Sequence, residues 1–83
     1  MIHLTRIDPA KNMARFYALH IQRDLFDHVA LIREWGRIGQ SGTMRADTFD
    51  TEAAASTAAA KIASAKQRRG YHPQQWLDYH TGA

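Results

Sequence analysis

The chain has 83 residues and a mass of 9.4 kDa, which suits one small domain and leaves no room for a second. It contains no cysteine, so disulfides, a thiolate nucleophile and a cysteine zinc site are excluded. Eleven basic against eight acidic residues give a formal charge of +3, and most of the bases are arginines, whose planar fork grips phosphate and favours a phosphate-bearing partner.

The hydropathy pattern of the first half predicts four short β-strands. They span residues 2–8, 14–23, 28–37 and 43–49. In the second of them, Tyr17, Leu19 and Ile21 fall on one face by alternation, as expected for a strand buried on one side. Short turns rich in aspartate or glycine separate the last three strands, so we expect an antiparallel meander.

The alanine-rich segment that follows predicts one long helix over residues 52–69. Asp50 or Thr51 can cap its N-terminus, and Gly70 suits the position just after its C-terminus. A stripe of small side chains would let this helix lie close to a sheet. The expected fold class is therefore α+β, with an antiparallel sheet of about four strands and one long α-helix packed on one face.

One domain is expected over residues 1–83, with a core at 2–72 and a C-terminal tail at 73–83 in which Trp76 packs on the body. No segment is apolar over the length that a membrane span requires, and the N-terminus lacks the apolar region of a signal peptide. We expect a cytoplasmic protein without membrane contact, and a monomer.

No pattern in the sequence indicates catalysis, a metal or a cofactor. The spacing of the five histidines matches no metal-ligand motif. Turns and helix caps account for the carboxylates, and no serine lies in a nucleophile motif. Gly36, Gly39 and Gly42 recur at intervals of three, but the lysine and the helix that a phosphate-binding P-loop requires are missing. We therefore expect a non-enzyme without cofactors.

The segment Glu34-Trp35-Gly36-Arg37-Ile38-Gly39 is the most informative part of the chain. Trp35 and Arg37 are two apart on a predicted strand and so share a face. An indole beside a guanidinium makes a flat cationic platform that can stack on a sugar or base and hold the adjacent phosphate. The alternative is a cation–π pair of Trp with Arg that only stabilises the sheet.

The order of these motifs resembles that of the WGR domain family. The matching segments are Arg15-Phe16-Tyr17, Trp35 to Gly39, Gly42, Phe49, the alanine-rich helix and Gly70-Tyr71. Together they extend over residues 2–72, which is nearly the whole chain. The resemblance implies an antiparallel sheet with one helix on a face, and no catalytic segment. It also implies DNA binding at strand ends or nicks, as in the WGR domains of poly(ADP-ribose) polymerases.

The same resemblance implies roles for individual residues. Trp35 would stack on a sugar at a strand terminus, and Arg37 would contact phosphate or a partner domain. Arg15 and Tyr71 would help to hold a 5′ phosphate. The candidate nucleic-acid-binding residues are Trp35, Gly36, Arg37, Arg15, Tyr71, Gly39, Asn12 and Arg45.

One position departs from the family pattern. DNA-binding members often carry asparagine where this chain has Ala14, so a hydrogen-bond donor is missing from the implied phosphate site. Asn12 or Arg45 could substitute for it.

Three hypotheses remain open on the residues alone. The leading one is a module that contacts the backbone of DNA at ends or nicks, with RNA as a further candidate partner. In the second, the same face docks onto a separately encoded protein and Trp35 is an aromatic hot spot. In the third, Trp35 and Arg37 are buried parts of the sheet, and the basic residues are ordinary surface charges.

Overall fold

The computed structural model describes residues 1–73, which form an antiparallel sheet with one α-helix packed on a face. The elements are β1 (Ile2–Asp8), β2 (Met13–Arg23), β3 (Val29–Arg37), β4 (Thr43–Phe49), α1 (Glu52–Arg68) and β5 (His72–Pro73), with a short 3-10 turn at Pro9–Lys11. The strands lie in the order β4-β3-β2-β1-β5. The predicted α+β class, the meander and the helix are confirmed. Trp76 lies outside the described residues.

The fifth strand was not predicted from the sequence. β5 is only two residues long and pairs with the outer edge of β1, through Leu4 opposite Pro73 and Thr5 opposite His72. A segment this short carries no hydropathy alternation, so its pairing is decided by where the helix ends. Pro73 suits this position, because an edge strand can do without the N–H that proline lacks.

The core lies between the helix and one face of the sheet. Leu4, Tyr17, Leu19 and Leu31 are buried there, and Ala59 of α1 packs onto them. The alternation predicted for the second strand is confirmed, since its alternate apolar residues point towards the helix. Alanine at the contact lets the helix axis approach the sheet closely, which helps so small a domain exclude water from its core.

Both ends of the helix are capped as the sequence predicts. The Thr51 hydroxyl oxygen accepts a hydrogen bond of 3.1 Å from the Ala54 N–H, so Thr51 rather than Asp50 is the N-cap. At the other end Gly70 has φ +96°. The Gly70 N–H donates to the Gln67 carbonyl and the Tyr71 N–H donates to the Lys66 carbonyl, which is the Schellman arrangement.

The two ends of α1 lie at opposite ends of the sheet. Its N-terminus lies near the β2–β3 hairpin, because Arg23 Nη2 is 3.1 Å from Glu52 Oε2. Its C-terminus lies against β1, where a Cβ on Gly70 would be 3.2 Å from Arg6 Nε. Within residues 1–73, no helix combines the length and apolarity needed to cross a bilayer.

Candidate nucleic-acid interface

The strand register brings three arginines side by side. Arg6 lies opposite Arg15 on β1 and β2, and Arg15 lies opposite Arg37 on β2 and β3. Directly opposed residues of antiparallel strands point to the same face, and like charges so placed repel each other. None of the three forms an ion pair with an acidic side chain among residues 1–73. The sheet thus carries a row of uncompensated positive charge at one end.

An aromatic row lies next to this arginine row. Tyr17 of β2 is opposite Trp35 of β3, and their rings are stacked with centroids 5.7 Å apart and planes at 14°. Tyr71, which follows the helix, meets Tyr17 edge to face at 6.5 Å and 78°. Tyr17 and Tyr71 are buried, whereas Trp35 is half-buried. The indole is therefore held in place by a core residue while part of its surface stays open to solvent.

The two rows and the end of the helix enclose an open groove of about 440 Å³. We call it the aromatic groove, and it is lined by Arg15, Tyr17, Trp35, Gly36, Arg37, Lys66 and Tyr71. Five of the eight candidate residues from the sequence line it. Tyr17 and Lys66 also line it and were not among those candidates. Alternation predicts that Tyr17 is a core residue but gives no sign that it also lines a groove. Lys66 is expected from its position only to complement the dipole at the helix end.

Arg37 is hydrogen-bonded to Asn12. The Asn12 backbone carbonyl accepts a hydrogen bond of 3.1 Å from Arg37 Nη1, and Asn12 Oδ1 accepts one of 3.3 Å from Arg37 Nη2. Asn12 ends the 3-10 turn in the left-handed conformation, with φ 50°. It does not line the groove, and its two oxygens both accept from the Arg37 guanidinium.

Arg45 and Gly39 also lie outside the aromatic groove. Arg45 Nε is 3.3 Å from Asp47 Oδ1, and Arg33 Nη2 is 3.3 Å from the other oxygen of the same carboxylate. Gly39 lies in the turn between β3 and β4, with φ +87°. Asn12 and Arg45 thus have other hydrogen-bond partners, and Gly39 lies in a turn.

The Trp35–Arg37 cation–π pair that the spacing left open is not found among the described residues. The cation over the indole is Arg33, whose guanidinium carbon is 5.9 Å from the ring centroid. Arg37 is exposed and bound to Asn12. Neither Trp35 nor Arg37 is enclosed in the core, so the third hypothesis, in which both are buried parts of the sheet, does not describe this site.

Lys66 places a cation over the aromatic wall of the groove. Its Nζ is 4.6 Å from the Tyr17 ring centroid and 5.7 Å from that of Tyr71. Burial against these rings lowers the pKa of Lys66, and the positive charges of Arg69 and Arg33 lower it further. No acidic side chain of residues 1–73 pairs with Lys66. A bound anion would favour the charged ammonium and so oppose the lowering of its pKa.

A close backbone approach fixes the position of Trp35. A Cβ on Gly42 would lie 2.5 Å from the Trp35 carbonyl oxygen and 2.9 Å from Phe16 Cζ. Only glycine fits there, so the start of β4 lies directly against the strand that carries Trp35 and Arg37.

Nowhere in residues 1–73 do three or more His, Asp or Glu side chains gather as a metal site would require.

Comparison with known families decides the class of this domain. A family model for the WGR domain matches residues 1–76. The chain belongs to the WGR domain family. The resemblance carried by Trp35-Gly36-Arg37 and the surrounding motifs is thereby confirmed. WGR domains are binding domains and are associated with nucleic-acid binding.

One curated relative is longer than this chain. The chain is 40% identical over 76 residues to a protein of Sinorhizobium fredii named uncharacterized protein y4dW. The match covers 92% of this chain and 37% of the relative, so the chain spans little more than a third of the relative's length. No solved structure matches the chain.

Proposed function

We propose that this WGR domain is a non-catalytic module that binds DNA at strand ends or nicks and that the aromatic groove holds the terminal nucleotide. One observation carries the proposal. A half-buried indole and three cations, those of Arg15, Arg37 and Lys66, converge on one groove, and none of these cations is paired with a carboxylate of residues 1–73. Stacking surface and phosphate donors are thus available together.

Each part of the groove suits one part of a nucleotide. The open surface of Trp35 offers a flat platform for a sugar or base. Arg15 and Arg37 offer planar forks for phosphate oxygens, and Lys66 offers a point charge. Lys66 supplies the additional donor that neither Asn12 nor Arg45 brings into the groove. Contacts to sugar and phosphate carry no base information, so we expect binding without sequence preference.

The size of the groove favours a strand terminus over an uninterrupted duplex. About 440 Å³ is within the range of small-molecule sites and corresponds to the scale of one nucleotide. The helix C-terminus near the groove carries a partial negative charge of about half an electron, which disfavours anions. Lys66 and the arginine row outweigh it, because each contributes a full charge at the same site.

Binding to three DNA forms tests the proposal. We expect nicked and blunt-ended duplexes to bind more tightly than a duplex closed by hairpins at both ends, as measured by fluorescence anisotropy. Trp35→Ala should abolish this preference, whereas Met44→Ala, at an exposed position of β4, should keep it. If three phosphates are neutralised, raising salt from about 50 to 200 mM weakens binding about 40-fold. Equal, weak binding to all three forms that Trp35→Ala leaves unchanged would refute the proposal.

Two other classes of partner, RNA and protein, would give different results in binding experiments. Single-stranded RNA that outcompetes the nicked duplex would assign the groove to RNA. A protein that stays bound in a one-to-one ratio after nuclease treatment, and is lost in Trp35→Ala, would assign it to a protein. The proposal itself is of a monomer that acts where the DNA is, in the bacterial cytoplasm, without chemistry of its own.

A further inference from the structure

The turn that joins β2 to β3 exposes two adjacent apolar side chains. Leu25 is 98% exposed and Phe26 is 80% exposed. A single exposed leucine is ordinary on a protein surface, but two large neighbours held in water at the end of a hairpin are an unfavourable arrangement. We call this pair the apolar tip. Its exposure requires an explanation that the core of the domain does not supply.

The apolar tip is carried by a rigid turn. Asp24 Oδ1 accepts hydrogen bonds from the backbone N–H groups of Phe26, at 2.8 Å, and His28, at 2.9 Å. The other carboxylate oxygen is 3.1 Å from His28 Nδ1, and the Asp24 N–H donates to the His28 carbonyl at 3.0 Å. The turn is therefore closed by its own hydrogen bonds, and the two side chains are presented in advance of any contact. Such preorganisation lowers the entropy cost of docking.

A second set of contacts fixes the turn to the helix. Arg23 donates to Asp27 at 3.2 Å and to Glu52, at the start of α1, at 3.1 Å. These exposed ion pairs join the turn to the start of α1. A rigid protrusion with an apolar end is suited to insertion into a socket on another surface.

The apolar tip lies far from the aromatic groove and has the opposite charge. Arg15 of the groove is eight residues from Arg23 along β2, which corresponds to about 26 Å in a strand. Around the tip, the Arg23 guanidinium faces three carboxylates, those of Asp24, Asp27 and Glu52, which gives a local charge of −2 with His28 counted as neutral. Phosphate-rich surfaces are repelled by this charge, so nucleic acid and anionic membranes do not suit the tip.

We propose that Leu25 and Phe26 anchor a protein-docking surface whose partner is a separate protein with an apolar socket bordered by basic side chains. The apolar pair fills the socket, and the acidic rim, Asp27 above all, meets the basic border. The site does not depend on what the groove binds. The distance between the two leaves room for a ligand at the groove and a protein at the tip at the same time.

Site-specific cross-linking identifies the partner. The photoreactive residue p-benzoylphenylalanine replaces Phe26 in the full chain inside cells, and replaces Lys61, on the exposed side of α1, in the control. We expect an adduct with one other protein at position 26 that is missing at position 61. No adduct above the control, or adducts only with a second copy of the chain, would overturn the proposal.

Titration of the purified adduct protein against the full chain then decides the role of the tip. The double variant Leu25→Ser/Phe26→Ser should bind at least about 30-fold more weakly, as loss of a buried hot spot does. Met44→Ser, which removes another exposed apolar side chain elsewhere, should bind within about twofold of the parent. Both variants change exposed residues, and circular dichroism melting verifies that they fold. Two results would refute a protein socket. One is that the double variant binds the adduct protein as tightly as the parent does. The other is that the parent binds neutral or anionic vesicles and the double variant does not.

Discussion

Tyr17 and Trp35 face each other across β2 and β3 with their rings stacked, 5.7 Å apart at the centroids. One of them is a core residue and the other is a half-buried residue of the aromatic groove. The orientation of the indole is thus set by packing beneath the helix, and a change in the core is transmitted directly to the candidate site.

Substitutions at Tyr17 should separate packing from hydrogen bonding. Tyr17→Phe keeps the ring that stacks on Trp35 and underlies Lys66, so we expect a change in unfolding free energy below about 1 kcal/mol and unchanged DNA binding. Tyr17→Ala removes a buried ring and should cost about 3–5 kcal/mol. Urea denaturation measures both. A Tyr17→Phe variant that loses DNA binding while remaining folded would show that the hydroxyl, not the stack, is what matters.

Asn12 should affect ligand binding without touching the ligand. Asn12→Gly tolerates the left-handed backbone and removes the side-chain oxygen that holds Arg37, while the backbone carbonyl remains. One lost hydrogen bond is worth about 0.5–1.5 kcal/mol, so binding of nicked DNA should weaken about two- to twelvefold. Asn12→Ala adds backbone strain of about 1–2 kcal/mol and should also lower stability. Affinity equal to that of the parent in both variants would contradict a positioning role.

Lys66 should show opposite effects on stability and binding. Burial and neighbouring arginines lower its pKa, so its charge opposes folding, and Lys66→Met should raise the midpoint of urea denaturation slightly. The same variant should bind nicked DNA more weakly, and the slope of log affinity against log salt should become less negative by about 0.9. Lys61→Met, on the exposed side of the helix, serves as the control. A salt slope unchanged from the parent would remove Lys66 from the phosphate contacts.

The close approach at Gly42 makes it the most sensitive position of the glycine turn. A methyl group there would collide with the Trp35 carbonyl oxygen and Phe16, so Gly42→Ala should destabilise the domain by about 2 kcal/mol or more. Ser41→Ala, in the same exposed turn, should change stability by less than about 0.5 kcal/mol. Thermal denaturation compares the two variants. Equal stability of the two variants would mean that β3 and the start of β4 can move apart without a loss of free energy of unfolding.

The turn that carries the apolar tip should loosen in acid. The backbone hydrogen bond from His28 is the largest cause that lowers the pKa of Asp24, and the Phe26 N–H lowers it further. The folded pKa is thus below the unfolded one, so the stabilisation is complete above the unfolded pKa and is lost as the pH falls through the folded pKa. The protection factors of the Phe26 and His28 N–H groups, which compare their exchange with the intrinsic rate at each pH, should fall in that range when followed by NMR. Asp24→Ala should show low protection factors at every pH.

Alternation and capping were enough to predict the sheet, the helix and the buried face of β2, because each depends on neighbours close in sequence. The short β5 and the hydrogen bonds of Asn12 to Arg37 could not be predicted from the sequence, because both are set by contacts between distant segments. Arg45 is a different case, because its partner Asp47 is two residues away on the same strand, where alternation places both on one face. The roles assigned to the groove residues remain predictions.

The Schellman turn at Gly70 has a consequence for how the domain responds to its ligand. It brings Lys66 and Tyr71 onto a sheet whose other groove residues all come from the first half of the chain. A ligand bound among them therefore bridges two segments more than 25 residues apart in sequence. Because it binds only the folded chain, it raises the free energy of unfolding. A chain cut before Lys66 would keep the Trp-Gly-Arg triplet intact and lose the site, so saturation with ligand should slow amide exchange at the end of α1 as much as in β3.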